Sequence, residues 1–403
     1  MAFSHAVLEA SVLGPVAGKF VGEGAPPKMR KMVAAGLAPL PPRDMLVGLY
    51  QIWAANDEDS NTAAKTVEGL PKAVLDGALA DAKLPPGVLD LLGRKFPRKV
   101  AVLTAIVRHP AVDDQTLIGI ARVCPEKVCD VIADNQVRWL QAPEIVGSLY
   151  GNRHCRMSVI HRMIEFAERE GVDLPLPGME EIRTVLADSG PPDESRDAMF
   201  KKFHGSEEAE ASGEQSVDLL ADAEIDDDLD LALPEAEADE AEADDPEAEE
   251  PAAPAAEADE DEEPAEDKKI SRMAEIQQMR PLEKIRTALL GDKYDRSLLV
   301  RDSNKAVAMA TIRSPKIRDD EAVNFSSNRA LSADVITYIA SRREWVKLYT
   351  VKLNLVMNPK TPLARSMTLL AYLNRNDVQK IARSKGIPSA LSTAAKRKMR
   401  QRR

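Results

Sequence analysis

The strongest chemical signal in this sequence is a set of cations near its end. The last eight residues carry six positive charges, and further cations recur upstream at helical intervals. Clustered Lys and Arg side chains are typical of surfaces that contact phosphates or carboxylates. The sequence therefore predicts contacts with a polyanion or an acidic partner. The candidate contact residues are Arg342, Arg343, Lys347, Lys352, Arg383, Lys385, Lys396, Arg397, Lys398, Arg400, Arg402 and Arg403.

Three interpretations of these cations stay open. A nucleic acid would place phosphates on the cations and bases on Trp345 or Tyr349. An acidic protein surface, or an acidic segment of the same chain, would use the same charges. A solvated surface without a specific partner is the third interpretation. Trp345 and Tyr349 are four residues apart, and on one helix this spacing favours a place in the core.

An acidic segment precedes the cationic region. From Ser206 to Asp267 there are 62 residues with 29 acids and without Lys, Arg or aromatic residues. Like charges repel and little apolar surface offsets the chain entropy, so we predict a disordered linker. Part of it alternates acids with apolar residues, which is typical of a segment that folds onto a partner, and a solubilising spacer is the alternative. The candidate docking residues are Leu219, Leu220, Ile225, Leu229 and Leu231.

The composition excludes several classes of protein. The 403 residues carry 54 Lys and Arg against 66 Asp and Glu, a net charge of −12. Since a membrane-spanning helix needs about 20 apolar residues and none of the uncharged runs is that long, we expect no membrane span. The first residues lack the basic and apolar stretches of a secretion signal. Three cysteines are too few for a disulfide framework, which favours the cytoplasm.

Both flanks of the acidic segment show helical spacing of apolar residues, with short breaks and without strand alternation. The segment from Ala111 to Arg122 aligns without gaps on that from Ala330 to Ser341, and further helical segments follow each. Helical units of about 25–30 residues bury their apolar faces by stacking. We therefore predict an all-α fold of two short α-solenoid domains. The predicted parts are an N-terminal extension (1–27), a helical-repeat domain (28–205), the disordered acidic linker (206–267) and a basic C-terminal helical-repeat domain (268–403).

The short break before each repeat carries a family resemblance. The segments Arg108-His-Pro-Ala-Val-Asp113, Arg313-Ser-Pro-Lys-Ile317 and Met357-Asn-Pro-Lys-Thr-Pro362 resemble the leucine-rich repeat variant type of ARM/HEAT-like helical repeats. The order of the parts, with MRKMVAAGLAPLPPRDMLVGLYQ before the acidic segment, resembles a family of uncharacterised bacterial proteins. The resemblance to ARM/HEAT-like repeats implies a binding scaffold and no particular partner.

Catalytic and metal-binding patterns are weak. Nucleophile elbows, HExxH helices, Walker loops and GxGxxG turns are missing from the sequence. Paired acids at helix starts are explained by capping. The possible metal ligands lack zinc-site spacing and are expected to be structural; they are Cys124, Cys129, His154, Cys155 and His161.

We therefore expect no enzyme, no metal and no cofactor. Some helical-repeat folds process DNA bases, but no residues in this sequence indicate a pocket for that reaction. The predicted function is a non-catalytic scaffold that binds a protein partner. The alternative is a nucleic-acid or ribosome-associated protein that acts through the basic C-terminal domain.

Overall fold

A computed structural model of the chain describes residues 3–22, 24–204, 265–384 and 386–401. Within these ranges the secondary structure is helical and contains no β-strand, so the prediction of an all-α protein is confirmed. No helix in the described ranges is long and apolar enough to cross a membrane. The finer prediction of two ARM/HEAT-like α-solenoid domains stays a prediction.

The described ranges contain 25 α-helices and one 3-10 turn. The α-helices are, in order, Ala10–Val21 (α1), Pro27–Ala34 (α2), Pro42–Ala54 (α3), Ser60–Glu68 (α4), Lys72–Leu79 (α5), Pro86–Lys95 (α6), Val100–Val107 (α7), Asp114–Val123 (α8), Glu126–Asp134 (α9), Gln136–Gln141 (α10), Glu144–Tyr150 (α11), Met157–Glu170 (α12), Met179–Leu186 (α13), Asp197–His204 (α14), Ala265–Gln278 (α15), Pro281–Leu290 (α16), Lys293–Leu299 (α17), Lys305–Ile312 (α18), Asp319–Ser327 (α19), Ala333–Ser341 (α20), Arg343–Lys347 (α21), Tyr349–Met357 (α22), Leu363–Leu370 (α23), Arg375–Arg383 (α24) and Ser389–Gln401 (α25). The 3-10 turn is Glu194–Arg196.

The two aligned segments begin their helices in the same way. Asp113 caps α8, and its side chain accepts a hydrogen bond from the backbone N–H of Gln115 at 2.8 Å. Ser332, at the equivalent position, caps α20 and accepts from the backbone N–H of Val335 at 3.3 Å. Each cap satisfies a donor that the first turn of a helix leaves unpaired. The alignment therefore identified equivalent helix starts.

The helices pack with their next-but-one neighbours. In the first part of the chain, α1, α3, α5, α7 and α9 contact one another in that order, and so do α2, α4, α6 and α8. After the acidic segment, α16, α18 and α20 contact one another in that order, and α22 contacts α24 and also α19, three helices earlier. In these series a helix lies between the units before and after it, which is the packing that helical repeats adopt.

Side-chain hydrogen bonds join each unit to the one before it. The buried Asn152 donates through Nδ2 to the carbonyl oxygen of Cys124 at 2.9 Å, 28 residues earlier. The buried Asn358 donates in the same way to that of Ser326 at 3.1 Å, 32 residues earlier. These bonds satisfy carbonyl groups near helix ends, and their spans of 28 and 32 residues are close to the predicted repeat length of about 25–30 residues. Similar bonds join His109 to Asp81, Arg138 to Val112, and Lys360 to Leu331.

The hydrophobic core continues across the acidic segment. One cluster of buried apolar residues begins at Leu13 and includes Ile276, Leu282 and Ile285 before it ends at Ala310. A second cluster extends from Val300 to Ala395. Buried apolar residues before and after the acidic segment therefore belong to one cluster, and the predicted domain bounds stay a prediction. Composition shows where a chain is polar, but it does not show which helices pack together on either side.

The predicted N-terminal extension also contributes to the core. Leu13, Ala17 and Val21 are buried on α1, which packs against α3. Inside α1 the backbone at Gly14 has φ +76°, a left-handed conformation that glycine adopts without strain, and Pro15 follows. The resulting kink lets the helix follow the surface of α3. We call the helices from α1 to α14 the first helical region, and residues 10–21 are part of it.

Candidate functional site

The predicted contact cations that the structure describes lie on the helices from α20 to α25 or directly next to them. Nine of the twelve are within the described residues, on α21, α22, α24 and α25 or at the end of α20. The other three lie outside the described residues, and they are Lys385, Arg402 and Arg403. The candidate docking residues are also outside, namely Leu219, Leu220, Ile225, Leu229 and Leu231.

Several cations earlier in the basic region are paired with carboxylates. Arg296 Nε lies 2.9 Å from Glu321 Oε1, and both side chains are buried. Arg272 Nε lies 2.6 Å from an oxygen of the buried Asp295. A buried ion pair leaves little charge for an external ligand. Arg296 therefore belongs to the interior of the structure, and the charge of the half-buried Arg272 is largely taken up by Asp295.

The unbalanced charge is concentrated at the C-terminal end. From Trp345 to Arg403 the sequence has 14 bases and a single acid, Asp377. A region with so large an excess of one sign produces a positive potential that attracts anions. We define the C-terminal surface as the exposed side chains from the start of α21 to the end of α25, including those between the helices. Its exposed cations include Arg343, Lys347, Arg365, Arg375, Arg383, Lys396, Arg397 and Arg400.

Two of the predicted contact cations have internal roles as well. Lys398 Nζ donates to the carbonyl oxygens of Leu370 at 2.7 Å and Ala371 at 2.6 Å, which closes the last turn of α23. Arg342 Nε donates to the Tyr338 hydroxyl at 2.9 Å. Replacing either side chain would therefore change the structure as well as the surface charge.

The two aromatic residues of this region occupy different environments. Trp345 is buried, as its helical spacing predicted. Tyr349 is 36% exposed, so its predicted place in the core is wrong. The chain leaves helical geometry at Leu348, between α21 and α22, and the two side chains therefore do not share the face of one helix.

Tyr349 takes part in a polar contact between helices instead. Its hydroxyl donates to Asp377 Oδ2 at 2.6 Å and accepts from the backbone N–H of Asn374 at 3.1 Å. The hydrogen bond from Tyr349 lowers the pKa of Asp377, because it stabilises the ionised carboxylate. This contact orients the start of α24 against α22.

Three exposed apolar side chains were not identified from the sequence. Leu363 and Met367 are one turn apart on α23 and are 43% and 40% exposed, and Tyr372 is 63% exposed. Lys352 Nζ lies 5.7 Å from the centroid of the Tyr372 ring, within the range of a cation–π interaction. Their helical spacing resembles that of core residues, so the sequence alone offers no signal of their exposure. The C-terminal surface is thus cationic and locally apolar.

The cysteine and histidine candidates are separate from this surface. Cys124 Sγ lies 3.5 Å from Cys129 Sγ, and both thiols and that of Cys155 are buried. Hydrogen bonding and burial raise the pKa of Cys129 and Cys155. His161 is buried beside Glu165, whereas His154 is exposed. Within the described ranges no group of three or more His, Cys, Asp or Glu side chains could hold a metal ion.

Comparison with known proteins adds no relative to this description. No protein-family model matches the chain, and no curated protein or solved structure matches it.

Proposed function

We propose that the protein is a non-catalytic helical-repeat scaffold that binds a protein partner on its C-terminal surface. The proposal is supported by the next-but-one packing of many of the helices and by side-chain hydrogen bonds that span 28 and 32 residues between neighbouring units. We propose that these stacked units are α-solenoids. Repeats stacked in this way form extended surfaces that are suited to binding. The low number of cysteines favours a cytoplasmic location for this function.

The observation that carries this proposal is the mixture of charge and apolar area on the C-terminal surface. Leu363 and Met367 expose aliphatic side chains among many cations. A phosphate backbone uses cations and gains little from aliphatic groups. A protein segment with both acidic and apolar residues would use the two kinds of contact together. The surface therefore favours an acidic, partly apolar protein partner.

Nucleic acid is the second candidate, and a separate observation favours it. The 14 bases and one acid from Trp345 to Arg403 give a charge excess that would attract phosphates. The exposed ring of Tyr372 beside Lys352 could also stack on a base. In this case affinity would fall steeply with salt, because bound phosphates release counterions.

A capture experiment with nuclease separates the two candidates. The full chain is immobilised, exposed to extract from cells that produce it, and washed after treatment with nuclease or buffer. We expect captured proteins to remain after nuclease treatment and to be lost in the variant Leu363→Ser/Met367→Ser/Tyr372→Ser. The matched control is Leu37→Ser, which alters an exposed apolar residue in the first helical region and should leave capture unchanged.

The opposite pattern would favour the second candidate. Captured material would then be removed by nuclease and unaffected by the triple serine variant. It would be reduced by Lys396→Gln/Arg397→Gln/Arg400→Gln, which removes three exposed cations from α25. This pattern would overturn the protein-binding proposal.

A further inference from the structure

Residues 3–9 form no regular secondary structure and lie against α3 and α6. Gln51, on α3, pairs with the backbone of Leu8 at both of its polar groups. The N–H of Leu8 donates to Gln51 Oε1 at 2.8 Å, and Gln51 Nε2 donates to the Leu8 carbonyl oxygen at 3.3 Å. A side-chain amide that matches both groups of one residue recognises an extended backbone independently of the side chain there.

The imidazole of His5 enters a pocket that is lined by polar and aromatic groups. Its Nε2 atom lies 2.9 Å from Oδ2 of Asp90, which is only 5% exposed. The ring packs edge-on against Trp53, with centroids 4.5 Å apart. Asp90 is also held by hydrogen bonds from Thr116 and Arg94, at 3.0 and 2.6 Å. The pocket therefore has a fixed carboxylate at its base and an aromatic wall.

A close helix contact positions the third recognition group. The Tyr50 hydroxyl donates to the carbonyl oxygen of Ala6 at 3.2 Å. A Cβ atom at Gly87, on α6, would lie 2.3 Å from the Tyr50 hydroxyl oxygen. Only glycine at this position leaves room for the Tyr50 side chain. Gly87 on α6 therefore allows the Tyr50 hydroxyl to reach the Ala6 carbonyl.

Residues 3–8 contact the groove mainly through polar groups and bury little aliphatic surface there. Val7 is 54% exposed, whereas Leu8 is partly buried against the core. The groove makes two polar contacts with the Leu8 backbone, one with the Ala6 carbonyl and two with the His5 ring, which come from Asp90 and from the Tyr50 hydroxyl at 3.4 Å. A segment that only completed a hydrophobic core would show the opposite balance. The arrangement is that of a peptide bound in a groove.

We propose that the groove between α3 and α6, defined by Tyr50, Gln51, Trp53 and Asp90, is a binding site for an extended peptide that carries a histidine. Residues 3–8 of this chain occupy it in cis. The partner class is an extended protein segment with a histidine three residues before the residue that pairs with Gln51. Because the cis segment is attached to α1, its effective concentration is of millimolar order, so a partner must compete with it. This site is independent of the C-terminal surface.

The test uses a chain that is cut after folding. A protease site is inserted between Glu9 and Ala10, and the purified protein is cleaved so that residues 1–9 are held only by the groove. The probe is a fluorescent, N-acetylated peptide with the sequence of residues 2–10, AFSHAVLEA. We expect the probe to replace the cleaved segment and to bind saturably, while the uncleaved chain binds it at least about tenfold more weakly.

Two controls show whether binding depends on the proposed chemistry. A probe with His5→Ala should bind at least about tenfold more weakly, since it leaves Asp90 without the imidazole. Cleaved protein with Gln51→Ala should also bind the unaltered probe more weakly, while a circular dichroism spectrum shows that the fold is retained. Equal binding of both probes, or no exchange by a folded and cleaved protein, would overturn the proposal. The segment would then be a fixed part of the fold.

Discussion

Arg286 donates from Nε to the carbonyl oxygen of Tyr150 at 3.0 Å, although 136 residues separate them in sequence. Its Nη2 atom donates to the carbonyl oxygens of Asn152 and Cys155 at 2.8 and 2.9 Å. The side chain is fully buried and lies 5.1 Å from the Phe200 ring centroid. Burial lowers the pKa of Arg286, because it disfavours the charged form. The hydrogen bonds and the contact with the aromatic ring offset that cost and hold α16 against the first helical region.

Replacing Arg286 should be strongly destabilising. Arg286→Ala would leave three buried carbonyl oxygens without this donor and would open a cavity. We expect the free energy of unfolding to fall by about 3–5 kcal/mol, because the lost hydrogen bonds and the cavity both destabilise the folded state. Urea denaturation measures the change. Arg301→Ala, at an exposed position, is the matched control and should change stability by less than about 0.5 kcal/mol.

Asn358 should be structural rather than part of a contact surface. It is 2% exposed, donates to Ser326 and Asn328, and accepts from the backbone N–H of Lys360 at 3.0 Å. Asn358→Ala should therefore lower the free energy of unfolding by about 1–3 kcal/mol, because buried polar groups lose their partners. The exposed Asn376→Ala is the control in thermal or urea unfolding. Unchanged stability in Asn358→Ala would show that the inter-unit bonds are dispensable.

The helix starts were predictable because they depend on neighbouring residues. Asp113 and Ser332 cap helices that begin one residue later, and each cap bonds to a backbone N–H within three residues. The break at Leu348 was not predictable in the same way. There is neither proline nor glycine between Arg343 and Met357, so the sequence suggests one continuous helix. Packing, rather than a local breaker, sets the end of α21.

Long-range features were missed for a related reason. The pairing of Arg286 with Tyr150 and the docking of His5 beside Asp90 join residues far apart in sequence. Neither has a pattern of types or spacing that marks it in a single sequence. The position of the cations was predictable from composition, but the exposure of Tyr372 depends on how α23 packs. Fold class therefore followed from periodicity, whereas the sites required the tertiary structure.

His204 should make stability depend on pH. It is buried beside Thr287, and burial, reinforced by Arg286, lowers its pKa from 6.5 to about 3. The unfolded chain binds a proton below about pH 6.5, while the folded chain keeps the imidazole neutral. Stability from this group is therefore complete above pH 6.5 and is lost as pH falls towards 3, by roughly 1.4 kcal/mol per unit.

The measurement compares unfolding free energies at pH 7 and pH 5. His204→Gln cannot bind the proton. Between pH 7 and pH 5 its free energy of unfolding should therefore fall by about 2 kcal/mol less than that of the original protein. His154→Gln, at an exposed position, should retain the original dependence. A His204→Gln protein with the same loss as the original would contradict the neutral buried imidazole.

The three cysteines should react slowly in the folded protein. Cys124, Cys129 and Cys155 are buried, and the raised pKa values of Cys129 and Cys155 leave little thiolate at pH 8. We expect a thiol reagent such as dithionitrobenzoate to modify fewer than about one thiol per chain in minutes. In denaturant all three should react. Rapid modification of the native protein would show that this part of the core opens readily.

The continuity of the helical structure is the central claim, because the proposed scaffold requires that the parts on either side of the acidic segment stay together. Besides Arg286, Arg196 Nε and Nη2 donate to the two carboxylate oxygens of Glu283 at 2.7 and 2.8 Å. Arg280 Nη2 donates to Asp193 at 3.0 Å. These contacts and the shared core should hold the parts together without a covalent connection.

Cleavage of the acidic segment tests this claim most directly. A protease site placed between residues 205 and 264 is cut in the folded protein, and the product is analysed by size-exclusion chromatography with light scattering. We predict that both fragments elute together with the mass of the whole chain, about 44.1 kDa, and that they separate when Arg286→Ala is introduced. Two separate peaks from the cleaved original protein would contradict the account and restore two independent domains joined by a linker.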